Sequence, residues 1–148
     1  YLMKGYPKMY QVWLTKHVSG CCGTNKMMSY WKSDWTAFCP SCRHVVETTE
    51  HITRCGEHSR RRMLRASVES LVSWFYETTD DYDMTMSLST LLMAQGNMTM
   101  RESIREVNGT QLMDEEVELV TSDTDKLGWD CMLEGRVSKE WLRYAKKG

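Results

Sequence analysis

The sequence predicts a mainly α protein: short helices with a Cys3His zinc knuckle, followed by a small helical bundle. Three observations predict it. Apolar residues recur at helical spacing in successive segments, and Ser, Thr or Gly stands where each segment begins or ends. Two prolines, twelve methionines and few valine- or isoleucine-rich runs favour helix over sheet. The stretch WTAFCPSCRHVVETTEHITRC, Trp35 to Cys55, gathers three cysteines and two histidines into 21 residues.

Each element follows from local signals. MYQVWLTKHV carries Met9, Val12, Trp13 and Lys16 at helical spacing and stops at Gly20. Thr24 can cap NKMMSYW and turn Met27, Met28 and Trp31 toward a core. Thr48 or Thr49 can cap a helix that has Glu47 and Glu50 at its positive end. Ser59 can cap RRRMLRASVESLVSWFYE, whose stripe is Met63, Leu64, Leu71, Val72 and Phe75, widened by Ala66 and Val68. TTDDYD, residues 78–83, is a polar break and the best candidate linker. MTMSLSTLLMAQ reads as a helix ended by Gly96, with its methionines in the core. Thr99 and Glu102 form a capping-box pattern opening a short helix that ends near Asn108-Gly109. QLMDEEVELV places Leu112, Met113, Val117 and Val120 on one face, and SDTD, residues 122–125, is a second break. Ser138 can cap KEWLRYAKK, whose late lysines suit the negative end of the helix dipole. The expected organisation is a helical zinc-knuckle module over 1–58 and a helical region with an acidic surface over 59–148.

Composition narrows the class. The 148 residues suit one domain or two very small ones, and no apolar run reaches the ~18 residues of a membrane span. The chain begins with Tyr and has no signal-peptide pattern, so a piece of a longer chain is expected. Of six cysteines, four lie as Cys21-Cys22 and Cys39/Cys42, which fits intracellular metal binding better than a disulfide framework. The sequons at Asn97 and Asn108 are then coincidental. Charge is divided unevenly. Residues 1–65 hold eleven Lys/Arg against four Asp/Glu, and residues 66–148 hold eight against sixteen. The basic half suits a polyanion, or the two halves attract one another.

The spacing Cys39-x2-Cys42-x8-His51-x3-Cys55 has metal-ligand form. A Cys-x2-Cys turn aims two thiolates at one ion. His51 and Cys55, four apart on the expected helix, share a face about 6 Å apart. Three thiolates and one imidazole complete a tetrahedral Zn2+ site with no place for reactive water. Arg43, Arg54, Arg60, Arg61 and Arg62 can offset its residual negative charge. His51 closes a smaller site than His58, which is the alternative fourth ligand. His44 is too close to Cys42 to share the ion, and His17, Cys21 and Cys22 lack metal-pair spacing.

YQVWLTKHVSGCCGTNKMMSYWK followed by CPSCRHVVETTEHITRC resembles the zinc-binding region of retrotransposon reverse transcriptases, over about residues 6–58. GWDCMLEGRVSKEWLR at 128–143 looks like tails of some such reading frames. The resemblance implies Cys39, Cys42, His51 and Cys55 as ligands. The family often has four residues between the His and the last Cys, where this chain has three. The resemblance also implies a non-catalytic accessory module that binds nucleic acid, RNA or single-stranded DNA.

The residues agree with a module that is not an enzyme. Thr78-Thr79 precede Asp80-Asp81 where a polymerase would need Tyr-x-Asp-Asp, and no RNase H-type acidic constellation or phosphate-cradling glycine loop stands out. A Cys22–His17 nucleophile pair has nothing visible to activate it. In the nucleic-acid reading, arginines at 43, 54 and 60–62 meet phosphates, while Trp31, Trp35 and Phe38 either stack on bases or pack around the knuckle. In the competing reading the zinc unit is a structural clip for protein interaction, with the rest of a parent polypeptide as a partner.

Overall fold

The computed structural model describes residues 5, 7–78, 81–109, 114–133, 136 and 138–144. Those residues are mainly α-helical, as the sequence predicts, and the chain divides into two compact units, Tyr1–Arg60 and Arg61–Gly148.

The first unit holds α1 (Lys8–Val18), α2 (Asn25–Trp31) and α3 (Thr49–Arg54). Thr24 accepts the Met27 amide at the start of α2, and Thr48 accepts the His51 amide at the start of α3, each satisfying an otherwise orphaned N–H. An isolated antiparallel bridge pairs Phe38 with Val46. Among the described residues, the buried apolar side chains of this unit are those of Cys39 and Cys55. Trp31, expected to face a core, is 67% exposed. Met27 and Met28 on the same helix are half-buried.

Helix α4 (His58–Thr78) starts in the last residues of the first unit. Ser59 is not its cap. The Glu57 carboxylate takes that role, accepting the amides of Ser59 at 2.8 Å and Arg60 at 3.4 Å as well as the Ser59 hydroxyl. Of the stripe expected on α4, Val68 is buried while Met63 is exposed.

The second unit continues with α5 (Tyr82–Met93), α6 (Met100–Asn108), α7 (Glu115–Leu133) and α8 (Lys139–Tyr144). Helix α5 packs on α6, α6 on α7 and α7 on α8. Met84, Leu91, Met100 and Ile104 form the core, and Leu88, Val117, Met132, Trp141 and Tyr144 close over it. The polar break expected at 78–83 is shorter, because α4 runs to Thr78 and Asp81 already caps α5 through the Met84 amide at 2.9 Å. Thr79 and Asp80 lie outside the described residues, as do Leu112 and Met113 of the face expected near 111–120 and the late lysines at 146–147. The Thr99–Glu102 capping box forms as its pattern predicts.

Residues 122–125 do not break the chain. Thr121 and Thr124 donate to the carbonyls four residues back at 2.6 and 2.7 Å, so their hydroxyls are satisfied within α7. Asp125 has a partner elsewhere in the fold, accepting the Met100 amide at 2.6 Å at the start of α6. The interruption of α7 falls at Gly128, φ 77°, where the left-handed region suits glycine. Ser138 precedes α8, but its hydroxyl is buried without a partner and forms no cap. Helix α8 is held instead by the Trp141 indole donating to Thr124 at 2.9 Å and the Tyr144 hydroxyl donating to Asp81.

Candidate metal centre

Residues 37–47 fold back on themselves around Cys39-Pro40-Ser41-Cys42. The Cys39 amide donates to Val45 at 2.8 Å and the Glu47 amide to Ala37 at 2.9 Å. The Arg43 amide donates to the Cys39 carbonyl at 2.8 Å, and this tight closure places Arg43 at φ 62°. The turn brings Cys39 and Cys42 together. Helix α3 then presents His51 to them, and the chain leaves α3 in extended conformation at Cys55, φ −63°, ψ 114°. The φ of Cys55 is still helical, so its side chain leaves the last turn on the face it shares with His51, four residues back, and only the chain beyond it turns away.

The sulfurs of Cys39, Cys42 and Cys55 and a ring nitrogen of His51 lie within 4.8 Å of one another. Cys39 Sγ is 3.9 Å from Cys55 Sγ, and Cys42 Sγ is 3.4 Å from His51 Nε2. The sulfurs are thiols and not disulfides, whose S–S distance is about 2.05 Å. This group could hold a metal ion. His58 is exposed at the start of α4 and is not part of it. His44 Nδ1 is turned to the Cys42 carbonyl at 2.5 Å.

The fold treats the thiols unequally. Burial pushes Cys39 up, but hydrogen bonds from the Cys42 and Ser41 amides and from His51 leave it below the ordinary thiol value. A hydrogen bond from the His44 amide leads in lowering Cys42, against the effect of burial. Burial raises Cys55 above the ordinary value. The turn amides thus favour thiolate at its two cysteines, the form that binds metal.

A buried carboxylate supports the cluster. Glu47 accepts the Asn25 amide at 2.7 Å and lies 3.5 Å from the Arg60 guanidinium, whose Nε donates to Ser41 at 2.9 Å. Asn25 also donates its side-chain amide to the Phe38 carbonyl at 2.7 Å and accepts the Trp35 indole N–H at 2.9 Å. Glu47, Asn25 and Ser41 were not candidates from sequence spacing. Glu47 and Asn25 stand 22 positions apart, and the hint each offered was its place beside a capping threonine.

The five arginines fare differently. Arg43 is exposed, as are Arg61 and Arg62 on the first turns of α4. Arg54 pairs with Glu50 at 2.6 Å, and Arg60 is engaged by Glu47 and Ser41. In the second unit, Arg101 holds Glu118, one of the acids near 114–118. Burial raises the Cys22 thiol, the opposite of what activates a nucleophile, and His17 stacks on Trp13 with ring centroids 5.1 Å apart. Among the described residues no helix is long and apolar enough to cross a membrane.

The chain matches no protein-family model, and comparisons with curated proteins and with solved structures give no match.

Proposed function

We propose that Cys39, Cys42, His51 and Cys55 hold Zn2+ in a closed structural site, and that the module it folds binds RNA or single-stranded DNA without catalysing a reaction. This is the accessory role expected of a retrotransposon-type reverse transcriptase. One observation carries the metal reading: among the described residues of the first unit the buried apolar side chains are Cys39 and Cys55, so two ligands of the group form its core. Without a bound ion that unit has little to offset the conformational entropy of folding.

The geometry suits zinc. Bond lengths of about 2.3 Å to sulfur and about 2.05 Å to nitrogen give tetrahedral edges of about 3.8 Å (S–S) and about 3.6 Å (S–N). The Cys39 Sγ–Cys55 Sγ and Cys42 Sγ–His51 Nε2 separations, 3.9 and 3.4 Å, match these edges. Four protein ligands leave no position for reactive water, which suits a structural role.

The nucleic-acid reading draws on the basic balance of residues 1–65 and on exposed Arg43, Arg61 and Arg62. Arginines that neutralise phosphates release counterions, so affinity falls as salt rises. Three such contacts with a single strand correspond to a log–log slope of about −2. The test is metal content of the purified chain, with affinity for a single-stranded 12-mer at low and high salt. About one zinc per chain and salt-sensitive binding are expected. Absence of binding at low salt rejects the nucleic-acid reading.

The pairing of Arg54 and Arg60 with Glu50 and Glu47 favours a second reading, a zinc-stabilised protein-interaction module without nucleic-acid contact. Under that reading the metal is retained and the oligonucleotide does not bind.

A further inference from the structure

We infer that Trp35 is a stacking platform for an unpaired nucleobase, with Lys32 supplying the contact to the neighbouring phosphate. The inference rests on the nucleic-acid reading and assigns it a site.

A tryptophan that serves packing buries its rings. Trp35 does not: it is 42% exposed, yet it is firmly held. Its amide closes a turn on the Lys32 carbonyl at 3.0 Å, and its indole N–H is bonded to Asn25 at 2.9 Å. Asn25 is fixed in turn by the Glu47 carboxylate and the Phe38 carbonyl. The polar edge of the indole is thus spent on the fold, and its rotation is fixed before any ligand arrives. A pre-ordered ring loses less entropy on binding than a free one.

The Lys32 ammonium stands 5.1 Å from the ring centroid, over the Trp35 ring. A cation on an exposed aromatic face is held weakly, and a base stacked on the same face is held more strongly. Lys32 is itself exposed, and its flexible stem can yield the face to a base while the ammonium turns to the phosphate. A duplex offers no such base, because its faces are already stacked. The ligand class is therefore single-stranded, with little preference among bases, since each base has a π-face.

The test compares a single-stranded 12-mer with an abasic 12-mer that keeps every phosphate and lacks the bases. The zinc-loaded chain is expected to bind the intact strand about tenfold more tightly. Trp35→Leu should abolish that preference while leaving abasic affinity and metal content unchanged. Trp35→Phe, which keeps a ring but loses the N–H bonded to Asn25, should retain part of it. Lys32→Gln should weaken both ligands and reduce the salt dependence. Equal affinity for the two strands overturns the stacking site but leaves charge-based binding standing. Failure of both strands to bind overturns the nucleic-acid reading and this inference together. A preference that survives intact in Trp35→Leu removes the site from Trp35.

Discussion

The carboxylate of Glu47 and the guanidinium of Arg60 lie 3.5 Å apart, with the Glu47 side chain 8% exposed. The pair links the residue before the cap of α3 to the first turn of α4. Through Ser41 it also reaches the turn that carries Cys39 and Cys42. Glu47→Ala removes the acceptor of the Asn25 amide and the carboxylate paired with Arg60. An expected loss of about 1–3 kcal/mol in the metal-loaded state follows from leaving such groups unsatisfied. Denaturant unfolding measures it, with faster loss of metal to a chelator as the second readout.

Metal removal should act on one unit. The first unit buries two cysteines of the candidate metal group and no other apolar side chain among the described residues, whereas the second has Met84, Leu91, Met100 and Ile104. A strong chelator is therefore expected to abolish amide-exchange protection at α2 and α3 and to leave protection at α5 and α6. Cys42→Ser should reproduce the effect. Equal loss in both units would contradict it.

Arg43 occupies the left-handed region at φ 62°, which costs a non-glycine residue about 1–2 kcal/mol. Arg43→Gly removes that strain and adds backbone freedom to the unfolded chain, which offsets about half of the gain. The expected result is a stabilisation of about 0.5 kcal/mol, against a destabilisation for β-branched Arg43→Val. Urea midpoints of the zinc-loaded variants check the order.

Gly128 interrupts α7 at φ 77°, and a Cβ built there meets no atom within 4 Å. With ψ at 170° this is a conformation kept almost to glycine, so Gly128→Ala should cost about 1–3 kcal/mol through backbone strain and not through a clash. Larger side chains at 128 should cost about the same as alanine, which thermal unfolding of an alanine–leucine pair can measure.

Acid should weaken the second unit. Hydrogen bonds from the Thr99 amide and hydroxyl hold Glu102 below the usual carboxylate range, and the Arg101 guanidinium does the same to Glu118. A carboxylate with a depressed folded-state pKa contributes stability above its unfolded value, about 4.3, and loses it as pH falls through the folded value. Protection of α6 amides is therefore constant near neutrality and should fall as the pH drops below about 4.3. Glu102→Gln and Glu118→Gln together should flatten that fall.

The donor set and the local caps were legible in the sequence because their partners are close along the chain. Thr24, Thr48 and Thr99 each bond an amide three residues on, and the cysteine turn closes within residues 37–47. Residues 122–125 looked like a break because their side chains are polar, but Thr124 bonds within its own helix and Asp125 bonds the Met100 amide 25 positions away.

The sequence by itself determined the helical class, the caps and four residues with metal-ligand spacing, since all of these depend on short-range stereochemistry. The tertiary structure brought His51 into the cluster, as its spacing to Cys55 predicts, and left His58 outside it at the start of α4. It also turned Arg60 inward while leaving Trp35 anchored and open to solvent. The physical reason is that an imidazole, a guanidinium and an indole each have a choice of partners. That choice is settled by groups such as Glu47 and Asn25, whose positions exist only once distant segments have come together.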